Sequence, residues 1–448
     1  MKSVSRSLIE YFCCPEEYAT FETPIAFSIA KEYFNFGSGI LCYGRRAVAS
    51  ELATPTHARY DHSVDARGNG DVLLPFDPDE IIDNLRLERH ADRFRLDICR
   101  TGINQLVHTA YYAVRPCLPV RVRKHLQRGL LNGWDKPGFP NWPADTTVDD
   151  LLAHLLALQI QREGNRIPFI WFWPEGYEGC AILTHDVESR PGYEFCSALM
   201  DIDESFGLRS SFQLVPNGRY TVSAELLKEI RNRGFEINVH DYNHDGHLFR
   251  NRSTFDSRAK WIRKHAIEFG SKGFRSAVMY RHPDWLPLLD FEYDMSIPNT
   301  ARFDPQHGGC CTVMPYFIGH TLELPLTTIQ DYPLFNVLNT RSIDLWKAQT
   351  ELIMRKHGFA SFLIHPDYIL DRPERDVYFQ LLAYIKGLQD KRTVWIPKPQ
   401  DVNEWWRARA AMRVVKSGSS WTVEGPHSDR ARVAFAALQD GQLVYEMA

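Results

Sequence analysis

The stretch RNRGFEINVHDYNHDGHLF, residues 231–249, carries the reading of the whole chain. A helical run stops at Gly234, the short apolar strand FEINV follows, and His240 and His244 come directly after it. Two imidazoles four positions apart, one helical turn, can face a common point. With a carboxylate beside them they have the composition of a catalytic metal site, in which one position stays open for water. An ordinary polar loop has the same composition, and the pair alone does not choose. His185 and His247 compete as ligands. His240 and His244 are preferred because the strand fixes where their loop begins.

Working outward, the same rhythm of strand and helix runs from about residue 178. CAILTH, RSSFQLVP, FEINV, GFRSAV, EYDMSI, TVMPYF, TLELPL, FASFLIH and TVWIP read as strands. The helical segments between them include SAELLKEIRNRG, with Ser223 as cap and Gly234 as terminator. Strands alternating with helices at this spacing predict parallel βα units, in a barrel or an open sheet. Asp186, His240 and His365 each fall at or just past the C-terminal end of a predicted strand, the end that carries the active site in a barrel. Before this region, DPDEIIDNLRLERH reads as a capped helix, HTAYYAVRPCLPVRVRKHL as an apolar segment, and TTVDDLLAHLLALQIQREG as an amphipathic helix. After about residue 413, GSSWTVEG, ARVAFAAL and QLVYEMA read as short antiparallel strands.

The 448 residues are 44% hydrophobic and 24% charged, with a formal net charge of -4. A chain of this length usually divides into about two or three domains. Its charge leaves no electrostatic footprint for nucleic acid. The aromatic fraction of 12% suits sugar rings and core alike. No segment approaches the roughly 18 consecutive apolar residues of a membrane helix, and Glu10 interrupts the N-terminal apolar run before it can become a signal-peptide core. The nine cysteines include the adjacent pairs Cys13-Cys14 and Cys310-Cys311 but no Cys-x2-Cys spacing. They read as free thiols, so a cytoplasmic location is expected.

Three further pieces bear on chemistry. In LTHDVES, Asp186 and Glu188 follow an apolar run and are costly to bury without partners. They either cap the next helix or divide the work of a site, one on a cation and the other taking a proton. In HGFASFLIHPDY, His365 ends a strongly apolar strand, as a satisfied core histidine or as a proton-transfer group. In GFRSAVMYRHPDW, the fork of Arg275 can hold a carboxylate in place, or serve a structural ion pair.

In this order, THDVE, GFEINVHDYNH, Phe274-Arg275 and the strand-terminal His365 resemble the motifs of the polysaccharide deacetylases with a NodB homology domain, over roughly residues 175–400. Some further stretches, HDGHLF, TLELPLTTIQDYPLF and LIHPDY, resemble a divergent bacterial subgroup of that family. The resemblance implies a distorted, incomplete (β/α) barrel, a divalent metal cation such as Zn2+, and removal of acetyl groups from N-acetylated sugars. Carried over by position, Asp186 stands for the catalytic base, and His240 and His244 for the metal-binding histidines. Arg275 stands for the arginine that tethers the base, and His365 for the catalytic acid. Val187 replaces a usual metal-binding Asp, and Glu188 stands where the second acid of an Asp-x-Asp variant falls. Asp294, in EYDMS, is assigned to orient the acid histidine. Asp241 sits where Ser or Thr is usual, and RSAV replaces Arg-x-Pro-Tyr.

The expected architecture is therefore α/β: a mainly helical region over 1–174, the barrel over 175–400, and a helix with a small β-rich appendage over 401–448. The expected activity is metal-dependent hydrolysis of an amide in an N-acetylated sugar or glycan precursor. The water would give its proton to Asp186, backbone N–H groups near Ser276 would hold the oxyanion, and His365 would protonate the leaving amine. The rivals are a hydrolase of a non-sugar amide and an inactive barrel that binds a glycan or protein.

Overall fold

The computed structural model describes residues 2–37, 39–47, 72–91, 138–418 and 420–448. The segment HTAYYAVRPCLPVRVRKHL lies outside them. The described residues fall into two compact units, each drawn from separated parts of the chain. One comprises Met1–Leu87, Thr146–Tyr177 and Glu404–Ala448, the other Glu88–Asp145 and Glu178–Asn403.

The second unit is built on a nine-stranded sheet. Its strands are β1 (Gly179–Val187), β2 (Ser211–Leu214), β3 (Glu236–His240), β4 (Gly273–Arg275), β5 (Tyr293–Asp294), β6 (Tyr316–Ile318), β7 (Thr321–Glu323), β8 (Phe359–Ile364) and β9 (Val394–Trp395). They lie in the order β6-β7-β5-β4-β3-β2-β1-β8, with β9 also paired to β1. All pairs are parallel except the β6–β7 hairpin. The result is a curled sheet that does not close, a distorted and incomplete (β/α) barrel, and the chain also contains helical and small β-rich regions.

The sequence explains this sheet directly. All nine residues of β1 are buried, as expected of a strand covered on both faces. Helices α1 (Arg190–Ser205), α2 (Ala224–Asn232), α3 (Arg252–Phe269), α4 (Asp344–Met354) and α5 (Arg372–Asp390) supply much of the cover. Ser189, Ser223 and Asn251 cap the first three by accepting a backbone N–H in the first turn. Gly234 ends the α2 segment at φ 77°, a conformation that favours glycine.

Several expected strands come out shorter, RSSFQLVP, GFRSAV, TLELPL and TVWIP among them. TVMPYF contributes only Tyr316 and Phe317 to β6, because Pro315 has no N–H to give to a ladder. EYDMSI shrinks to the two residues of β5.

In the other unit, helices Arg6–Phe12, Pro78–Arg86 and Thr147–Glu163 accompany two antiparallel strand pairs, Lys2–Val4 with Thr20–Glu22 and Glu32–Phe36 with Ile40–Gly44. The buried strand Ile167–Ile170 pairs antiparallel with Val433–Gln439, which pairs in turn with Gln442–Met447. A further hairpin joins Arg413–Ser417 and Ser420–Glu424. The buried Arg409 guanidinium gathers three of its segments, donating to the carbonyls of Tyr11, Ile170 and Trp171. Among the described residues, no helix is long and apolar enough to cross a membrane.

Candidate metal centre and active site

Parallel register brings the C-terminal ends of β1, β3, β4 and β8 to one side of the sheet. Asp186 is the penultimate residue of β1, His240 and Arg275 end β3 and β4 as register partners, and His365 follows β8. Alternation along β1 sends Thr184 and Asp186 to one face and His185 to the other. Arg275, fully buried, closes on that first face. Its Nη1 donates to Asp186 Oδ1 at 2.7 Å and to Thr184 Oγ1 at 2.9 Å, while Nε donates to the Met295 carbonyl at 3.0 Å.

Glu188, just past β1, is the centre of the cluster. Its Oε1 lies 2.8 Å from His244 Nε2, 3.2 Å from His365 Nε2 and 3.6 Å from His240 Nε2. Asp186 Oδ2 lies 3.6 Å from His240 Nε2. Burial alone would push both carboxyls up. His244 and His365 reverse this for Glu188, holding it well below the usual range, and Arg275 with His240 does so for Asp186. Both are ionised at neutral pH.

His240 and His244 do not sit on a helical turn. The loop between them is closed by two left-handed residues, Asp241 at φ 56° and His244 at φ 58°, a strained choice for side chains other than glycine. Asp241 holds the loop to the neighbouring one: its N–H donates to the Arg275 carbonyl at 2.8 Å and its Oδ2 accepts from the Ala277 N–H at 3.1 Å. The same Arg275 carbonyl lies 3.1 Å from His240 Nδ1, which fixes the tautomer with Nδ1 protonated and the Nε2 lone pair free. His240 Nε2 and His244 Nε2 are both buried without a hydrogen bond of proper geometry.

Two orphaned imidazole nitrogens and an ionised carboxylate converging on one point are what a divalent cation requires. Glu188, His240 and His244 offer ligand atoms within 4.8 Å of one another, as do Asp186, Glu188 and His365. The first set fits better, because it contains the two imidazole Nε2 atoms left without a hydrogen bond, whereas both ring nitrogens of His365 are already taken, Nδ1 by Asp331 and Nε2 by Glu188. Burial would lower the His365 imidazole, but Asp331 and Glu188 outweigh burial and hold it well above its ordinary value. Around a tetrahedral zinc with bonds of about 2.0–2.1 Å, ligand atoms lie about 3.3–3.4 Å apart. The Glu188–His240 separation of 3.6 Å is close to that, and the Glu188–His244 separation of 2.8 Å must open by about half an ångström.

The structure also separates residues that the sequence left together. His185 faces the helices, with Nε2 3.1 Å from Asp203 Oδ2, and His247 is exposed beside Asp245. Asp294 does not reach His365: β5 and β8 are kept apart by β4, β3, β2 and β1. It accepts instead from the N–H and hydroxyl of Ser296, and shares a hydrogen bond with Glu323, whose carboxyl burial raises well above the usual range. The residue on His365 is Asp331, fully buried, with Oδ1 2.6 Å from Nδ1 and Oδ2 accepting the His365 N–H at 2.7 Å. Sequence reasoning missed it. Its only signal was an acid after the apolar run of TLELPLTTIQDYPLF.

The expected oxyanion donors near Ser276 are taken. The Ser276 N–H donates to Ser296 Oγ at 2.9 Å and the Ala277 N–H to Asp241. Val278 is the residue of this loop that lines the cleft, at φ 59°. The cleft holds about 120 Å³ of solvent-accessible space and is walled by Phe303, Tyr332 and Tyr368, with Glu188, His244 and His365 on its floor.

No family model matches the sequence, and no curated protein matches it. Solved structures do. A Mycobacterium smegmatis protein regarded as a polysaccharide deacetylase aligns with a TM-score of 0.43 at 17% identity, over 56% of this chain and 98% of that one. An allantoinase aligns with a TM-score of 0.42 at 13% identity, over 53% of this chain and 92% of its own. Peptidoglycan deacetylase PdaC from Bacillus subtilis aligns with a TM-score of 0.33 at 13% identity, over 52% and 94%.

Proposed function

We propose that the chain is a metal-dependent hydrolase of an amide bond, acting by N-deacetylation on an N-acetylated sugar or glycan precursor. The observation that carries this reading is the convergence on Glu188 Oε1 of three imidazole Nε2 atoms from β3, its loop and the end of β8. Glu188, His240 and His244 would hold the cation, and zinc suits that donor set. The cation supplies Lewis acidity, which brings a water's pKa towards neutrality. Asp186, ionised and pinned through Oδ1 by Arg275, keeps Oδ2 on the cluster side to accept the proton from the attacking water. The Val278 amide is the backbone donor the loop offers to the developing oxyanion. His365, protonated and oriented by Asp331, gives its proton to the leaving amine.

The test is metal content of the purified protein together with acetate release from the N-acetylated methyl glycoside of glucosamine. About one metal per chain and acetate release lost on chelation are expected. A folded protein with no metal and no acetate release would return the chain to the rival reading, a binding barrel.

Asp331→Asn is expected to shift the alkaline limb of the kcat–pH profile. The native His365 pKa is raised, so the donor proton is present at neutral pH and is lost only as pH rises through that value. Without the Asp331 charge the limb moves to lower pH. An unchanged limb in the variant would remove Asp331 from this role.

A further inference from the structure

The cleft above the cluster continues past a second polar pair that the chemistry does not use. Asp304 and Gln330 line the catalytic cleft and also a narrower recess beside it, which is bounded by Trp142, Thr328 and Gln349. Gln330 Nε2 donates to Asp304 Oδ1 at 3.1 Å. That bond fixes the amide orientation, because an ionised carboxylate only accepts. Asp304 Oδ2 and Gln330 Oε1 take no hydrogen bond from the described residues, although both side chains are only half-buried and border the open space. The pair therefore presents two acceptors side by side.

The surroundings narrow what can answer them. Arg281, the cation that acts on Asp304 through space, is already spent: it holds Glu88 with Nε and Nη2 and the Met279 carbonyl with Nη1, so it does not neutralise Asp304 by contact. Phe303, adjacent to Asp304, packs edge-on to Trp142 with centroids 5.1 Å apart, and Tyr332 and Tyr368, which also line the cleft, pack on one another with centroids 5.6 Å apart. Aromatic rings and an acceptor pair lining one cleft suit a neutral polyol ring, whose apolar face packs while its hydroxyls donate.

We propose that Asp304 and Gln330 form a specificity-determining subsite that accepts hydrogen bonds from two neighbouring hydroxyls of the sugar ring carrying the amide. The inference rests on the proposed deacetylation and names the substrate feature that this site selects. Asp304→Asn turns one acceptor into a donor at nearly constant shape, and Gln330→Met removes the other without adding charge.

The experiment compares kcat/KM for two amides in each variant: the methyl glycoside of N-acetylglucosamine, and 4-nitroacetanilide, which has no hydroxyl. Both variants should lose on the order of tenfold or more on the glycoside relative to the anilide, the effect expected for a lost hydrogen bond to a charged or buried polar group, with the loss mainly in KM. Equal losses on the two amides would overturn the subsite, as would a native enzyme that cleaves the anilide and not the glycoside. If neither amide is cleaved, the deacetylase reading fails, and ligand-observed NMR with the same glycoside decides the subsite. Binding by the native chain that is lost in Asp304→Asn upholds it, and no binding by the native chain overturns it.

Discussion

His365→Ala is expected to keep its metal and its fold and to lose about 10²–10⁴ in turnover of an amide, the usual range for a missing proton donor. An amine leaves poorly without a proton, and His365 is the group placed to give one. Its Nδ1 is committed to Asp331 and its Nε2 points to Glu188 in the cleft. The loss should be much smaller on an ester analogue, because an alkoxide departs with less help. Equal losses on amide and ester would sink the assignment and leave His365 as a packing residue at the end of its strand.

Metal occupancy offers the second large effect. Glu188→Ala is expected to lower the metal content as far as His244→Ala does, and acetate release should fall with it in both variants. The reason is geometric. Val187 is buried on the opposite side of the strand end and has no ligand atom, while Glu188 Oε1 is the atom on which the imidazoles converge. Measured by elemental analysis of protein dialysed against a trace of zinc, full occupancy in the Glu188 variant would hand the third position to Asp186. That carboxylate is the other acid within reach of His240 Nε2.

Much of this site was legible because it depends on periodicity and strand ends. Alternation put Asp186 and the group beyond it on the face away from His185, and an apolar strand ahead of His240 fixed its start. The preference for His240 and His244 over His185 and His247 rested on the strand in the same way. What escaped notice depended on the path of the chain between elements. Asp294 and Asp331 are both acids near short strands, and which of them meets His365 is decided by sheet order, not by spacing. The carboxylate that meets His365 comes from the segment after β7, whereas Asp294 is held among β4, β5 and β7. The loop of the histidine pair was equally opaque. Asp241 and His244 adopt positive φ without being glycine, so residue type gave no warning that the four-residue spacing is closed by a loop and not by a helical turn.

The pairing of Ile167–Ile170 with Val433–Gln439 has a consequence for synthesis of the chain. More than 260 residues separate the two strands, and every residue of the nine-stranded sheet from β1 to β9 lies between them. Domains assemble as the ribosome releases them, N-terminal parts first. Here the open barrel can form while Ile167, Phe169 and Ile170, all fully buried in the finished protein, still wait for their partner. Contacts of such sequence separation form late, after the loop-closure cost has been met. Until Val433–Gln439 emerges, the chain carries an unpaired apolar strand edge, which is the kind of surface that chaperones hold and that neighbouring nascent chains can join.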